Sequence, residues 1–122
     1  MHCVYRHQKS TEKLFAVDIN HNYLKEGNKV YLEEVIIYPR LDCCHERYEF
    51  MEVYTDEDDK NSHCVPEIEF RLTRQVILEL IDKKQGIKFI CDKKIPAEHI
   101  FVRNPNKHHI QITEITAYGS FI

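Results

Sequence analysis

Residues 66 to 91 read Pro66-Glu-Ile-Glu-Phe-Arg-Leu-Thr73-Arg-Gln-Val-Ile-Leu-Glu-Leu-Ile-Asp-Lys-Lys-Gln-Gly86-Ile-Lys-Phe-Ile-Cys91. Alternation through Ile68, Phe70 and Leu72 predicts a half-buried strand, since side chains of a strand point to opposite faces in turn. Thr73 then offers a hydroxyl to the free N–H groups of a helix start. Val76, Ile77, Leu80 and Ile81 recur at helical spacing and predict one amphipathic helix over residues 74 to 85. Gly86 suits the left-handed position that ends such a helix, and residues 87 to 91 return as a strand with Cys91 on the apolar parity of Ile87 and Phe89. A strand, one helix and a strand within a chain otherwise rich in strand patterns predict an α+β domain. The expected architecture is a mainly antiparallel sheet of seven or eight strands, open barrel or sandwich, with that helix packed on it.

Outward from this unit the strand signals are weaker. Residues 3 to 6 and 13 to 19 are rich in β-branched and aromatic residues and read as a first hairpin. Residues 29 to 38 form the longest strand candidate, stopped by Pro39. Glu34 falls on the parity of Val30, Leu32, Ile36 and Tyr38, so strict alternation would bury a carboxylate. Either a β-bulge at Glu33 and Glu34, or a strand covered on both faces near its end, leaves it in water, or it sits in a pocket as a candidate general acid or base. Residues 46 to 55 read as a strand with Tyr48, Phe50 and Tyr54 on one face. Residues 95 to 103 and 109 to 118 read as two more, the last with a bulge near Thr113 and Glu114.

The 122 residues suffice for one domain, 1 to 122, with its own core. Hydrophobic residues make up 43% and charged residues 30%, which excludes a disordered chain. Nowhere does an apolar run approach the length of a membrane span, and the first residues do not resemble a secretory signal. Five cysteines, an odd number with Cys43 and Cys44 adjacent, do not suggest a disulfide framework. Reduced thiols and a cytoplasmic address are the expectation. Net charge is −3, with −5 over residues 1 to 65 and +2 over residues 66 to 122. That field is too weak for bulk nucleic-acid binding, although Lys83, Lys84, Lys93, Lys94, Arg103 and Lys107 could form a local basic face. Scattered lysines also serve solubility and protect sheet edges.

Three clusters are candidates for chemistry or contact. Cys43, Cys44, His45, His63 and Cys64 hold zinc-type ligands on two loops. The usual CxxC spacing is missing, so cysteines acting as small hydrophobes are the plainer reading and no cofactor is expected. A cysteine nucleophile among Cys43, Cys44, Cys64 and Cys91 has no base assigned to it by sequence. Asp56, Glu57, Asp58 and Asp59 form an acidic run that reads as a solvated loop or a protein-binding patch. As a calcium loop it fails, with Lys60 at the fifth position and Asn61 where glycine is needed.

Phosphate loops, dinucleotide fingerprints and hydrolase elbows are absent, and no stretch carries the motif of a known family. The expectation is a non-enzymatic cytosolic interaction protein of the adaptor, inhibitor or immunity kind with a protein partner, and its edge strands leave a homodimer open. Seven tyrosines and the polarised charge suit that role. The alternatives are a nucleic-acid-binding or nucleic-acid-mimicking module, and a small-ligand or hydrolase domain using the Glu34 carboxylate.

Overall fold

The predicted helix is present in the computed structural model of the protein as α1, Arg74–Asp82. The structure describes residues 2–9, 14–18, 30–39, 48–55, 63–67, 72–91, 96–97, 99–104 and 111–121, with backbone alone at 2–9, 14–18, 30, 63, 96, 111 and 121. Thr73 caps the helix as expected, its Oγ1 accepting from the Val76 N–H at 3.4 Å. Ile77 is fully buried, and Val76, Leu80 and Ile81 pack beside it against the core. The end of the helix differs from expectation. Lys84, not Gly86, takes the left-handed conformation, with φ 57°. Its N–H donates to the Ile81 carbonyl at 3.0 Å and the Gln85 N–H to the Leu80 carbonyl at 2.9 Å, the paired bonds of a Schellman ending. Gly86 meets a different need, because a β-carbon there would overlap Ile36 Cγ2 and come within 2.9 Å of Tyr38 Cε1.

Nine strands accompany the helix among the described residues: β1 (His2–Lys9), β2 (Leu14–Asp18), β3 (Val30–Pro39), β4 (Glu52–Tyr54), β5 (His63–Pro66), β6 (Ile87–Ile90), β7 (Pro96–Ala97), β8 (His99–Arg103) and β9 (Gln111–Phe121). They form one antiparallel sheet in the order β1-β9-β3-β6-β5-β4-β8-β2, with β7 also on β3, curved into an open half-barrel. The fold class is therefore α+β, as the sequence implied. The first two strands are not a hairpin. β1 pairs with β9 and β2 with β8, at opposite ends of the strand order.

Two bulges set the faces of the sheet. Leu32 lies opposite Gly119 and Glu34 opposite Tyr118, so Glu33 is the extra residue of β3. The insertion reverses the parity: Leu32, then Val35 and Ile37, are buried, while Glu34, Ile36 and Tyr38 turn to the other face. Tyr38 lies opposite Glu114 and Pro39 opposite Ile112, which makes Thr113 the extra residue of β9 where a bulge was expected. The inner face carries Leu32, Val35, Ile37, Ile87, Phe89, Ile112, Ile115 and Ala117, all buried, and α1 lays Ile77 on this core.

Other expectations are revised. The strand over residues 46 to 55 shrinks to β4, because residues 48–50 make a helical turn and Phe50 is left-handed at φ 57°, with its ring exposed. Of the strand expected over 66 to 72, Pro66 ends β5, residues 68–71 lie outside the described residues, and Leu72 is buried at the helix entrance.

The thiols of Cys64 and Cys91 are not reduced but joined in a disulfide. The sheet register explains the pairing. Val65 faces Ile90 and Pro66 faces Phe89, which sets Cys64 directly opposite Cys91. The Glu67 N–H donates to the Lys88 carbonyl at 2.9 Å, and counting back from that pair puts the cysteines at a position without ladder hydrogen bonds, where the strands come closest. Their Cα atoms are 4.1 Å apart.

Candidate interaction surface

The outer face of β3, β6 and β5 is where the sheet leaves aliphatic side chains in water. Val65 and Ile90 stand opposite each other, 59% and 39% exposed. They are there by parity: Cys64 and Phe89 claim the inner face, so the neighbour of each points out. Ile90 also faces Glu34 on β3, which the bulge at Glu33 has turned outward. Beside this pair, the Lys88 ammonium lies 3.7 Å from a Glu34 oxygen and 3.7 Å from a Glu67 oxygen. All three side chains are substantially exposed, so these contacts orient the lysine and contribute little stability.

The same face continues onto β9 through Tyr118, Thr116 and Glu114, opposite Glu34, Ile36 and Tyr38. The Thr116 hydroxyl donates to Glu114 Oε2 at 3.1 Å. Tyr38 is held above the ordinary phenol range, chiefly by burial and then by the Glu114 carboxylate and Tyr118, with Lys88 acting in the opposite sense. At the helix end of this face a cleft of about 410 Å³ opens between Ile36, Tyr38, Glu67, Leu80, Lys84 and Lys88. Gly86 also lines it, and its missing β-carbon keeps the Ile36 and Tyr38 side chains uncrowded there.

A second cluster lies on β4 and β8. Tyr54 stacks on Phe101 with ring centroids 5.5 Å apart, and His99 tilts against Phe101 at 5.8 Å. Arg103 closes the row, donating to Glu52 Oε2 at 2.7 Å and lying 6.0 Å from the centre of the Tyr54 ring. Tyr54 is buried, so this row is packing rather than an open stacking platform.

Of the residues singled out by sequence, Glu34 sits on the open outer face beside Lys88, and the cleft is not lined by it. The bulge, not a pocket, accounts for its place among apolar neighbours. Cys64 spends its thiol in the disulfide and has no thiolate for a metal. Cys43, Cys44 and His45 lie outside the described residues, and His63 is described only as a backbone partner of Tyr54. Among the described residues, no three His, Cys, Asp or Glu side chains converge as a metal site would need. The acidic run at 56 to 59 lies outside the described residues, as do Lys93, Lys94 and Lys107. Lys83 and Lys84 are at the end of α1, while Arg103 is on β8 and committed to Glu52. Val65 and Ile90 were not singled out. The visible signal was Ile90 itself, an aliphatic residue on the polar parity of Lys88 in a strand whose other parity is Ile87 and Phe89.

No protein family, curated protein or solved structure matches this chain. Among the described residues no helix is long and apolar enough to cross a membrane.

Proposed function

We propose that this chain is a non-enzymatic interaction protein, of the adaptor, inhibitor or immunity kind, that binds a protein partner through the outer face of β3, β6 and β5. The observation that carries this reading is the exposed Val65 and Ile90 pair, set side by side by the β5 to β6 register and rimmed by charge. An apolar centre within a polar rim is the anatomy of a recognition patch, where burying the centre supplies energy and the rim supplies register. The rim holds Glu34, Glu67 and Glu114 against Lys88, so the segment that fits presents an aliphatic side chain next to a basic one.

The test places a photo-crosslinking side chain at Ile90 and, in a second protein, at the comparably exposed Leu78 of α1, 41% exposed. In extract of the source cells, position 90 should give a discrete crosslinked species that Val65→Asp abolishes, and position 78 should not. A product of twice the chain mass would identify the partner as a second copy. Equal labelling at both positions, or labelling indifferent to Val65→Asp, would overturn the reading.

A further inference from the structure

β5 joins the two halves of the half-barrel, since β1, β9, β3 and β6 lie to one side of it in the strand order and β4, β8 and β2 to the other. It is only four residues long. Among the described residues it pairs toward β6 through Val65 and Pro66, the proline at a position that makes no ladder hydrogen bond. The Glu67 to Lys88 backbone bond extends that pairing by one residue. Against this thin seam stands one covalent link. Cys64 pairs with Val53 of β4 on one side and is bonded to Cys91 beyond β6 on the other, so a single residue ties three consecutive strands.

We infer that the Cys64–Cys91 disulfide is a redox-sensitive latch for this seam: the oxidised chain is closed across β5 and β6, and the reduced chain opens there while β3 and β9 stay paired. The latch requires a setting that oxidises thiols, so the chain works in or passes through an oxidising compartment rather than resting in a reducing cytosol. The step is thiol–disulfide exchange with a dithiol. One thiolate of the dithiol attacks a sulfur of the bond and the other cysteine leaves as thiolate. The second thiol of the dithiol then attacks the first in the mixed disulfide, closing to a cyclic disulfide and expelling the remaining protein cysteine as thiolate, so that Cys64 and Cys91 take up the dithiol's two protons. Two electrons pass from reagent to protein. The bonded residues are 4% and 8% exposed, so the reagent gains access only as the seam opens.

The experiment has two arms on the full chain. Protein taken from its source with alkylation at lysis is digested and weighed. Cys64 and Cys91 should appear as one linked pair, and full alkylation of both would overturn the proposal. Purified oxidised chain is then compared with chain reduced by dithiothreitol, using amide hydrogen exchange resolved by peptide. Peptides covering residues 63 to 67 and 87 to 91 should exchange at least about 10-fold faster once reduced, with peptides covering 31 to 38 and 111 to 121 within about two-fold. No change at the seam, or acceleration of similar size everywhere, would overturn it. Cys64→Ser with Cys91→Ser, if it folds, should match the reduced chain, and exchange like that of the oxidised chain would overturn the latch.

Discussion

Leu32 of β3 stands directly across from Gly119 of β9, at the last paired position before the bulge. The strands are so close there that a β-carbon on the glycine would overlap the Tyr31 carbonyl oxygen and lie 3.2 Å from Leu32 Cα. Both obstacles are backbone, so neither can swing aside as a side chain would. Gly119→Ala should therefore lower stability by about 1 to 3 kcal/mol, the usual range for overpacking a filled site. Ser120→Ala, next along the strand and exposed, should stay within about 0.5 kcal/mol. Urea unfolding of both variants decides it, and equal midpoints would mean the ladder at Gly119 yields freely.

The end of α1 makes an opposite pair of predictions for two residues that sequence reasoning confused. Lys84 is left-handed, which costs an L-residue about 1 to 2 kcal/mol, while glycine gives back about 0.5 to 1 in unfolded-chain entropy. Lys84→Gly should stabilise the protein by about 0.5 to 1 kcal/mol. Gly86→Ala should destabilise it by about 1 kcal/mol or more, because the added methyl meets Ile36 and Tyr38. Thermal melts of the two variants should shift in opposite directions. A loss of stability in Lys84→Gly would show that the lysine side chain contributes more than its backbone costs.

That confusion shows what was legible in the sequence and what was not. The apolar stripe of α1, the Thr73 cap and the two bulges were readable, since each is written in spacing over fewer than about a dozen residues. Partners far apart in sequence were not. Nothing in residues 3 to 19 says that β1 will lie on β9 and β2 on β8, and a pattern that fits a hairpin is equally consistent with two edge strands. The disulfide was missed for the same reason: its cysteines are 27 positions apart, and only the β5 to β6 register sets them face to face. Phe50 hid its conformation, because an aromatic residue in an apparent strand gives no hint of positive φ. On the candidate surface, Glu34 drew attention as an acid among apolar residues, whereas the aliphatic pair beside it did not.

Tyr38 carries a pH prediction. Its folded-state pKa is raised, mainly by burial and then by Glu114, so the folded protein holds the phenol proton more tightly than the unfolded chain. Below the unfolded value near 10 the phenol is neutral in both states and stability is intact. As pH rises past that value toward the folded pKa, the unfolded chain ionises first and stability falls. Urea midpoints between pH 9 and 11 should drop more steeply for the wild type than for Tyr38→Phe. A difference titration of the two proteins near 295 nm should place the missing phenol on the alkaline side of the ordinary value of 10.0. Parallel midpoint curves would show that the neutral phenol gains nothing from its site.

The hold of α1 on the sheet rests on one side chain more than on any other of its stripe. Ile77 is fully buried in the core cluster, while Val76, Leu80 and Ile81 are only partly covered, and Leu78, the next residue, is 41% exposed. Truncating a buried isoleucine to alanine removes its transfer energy and leaves a cavity, together about 2 to 5 kcal/mol. Ile77→Ala should fall in that range and Leu78→Ala within about 0.5 kcal/mol, although both remove a branched aliphatic side chain from the same helix. Helix propensity favours alanine slightly in both, so it cannot produce the contrast. Denaturant unfolding gives the two values directly, and a small loss in Ile77→Ala would mean that α1 lies on the sheet without being seated in its core.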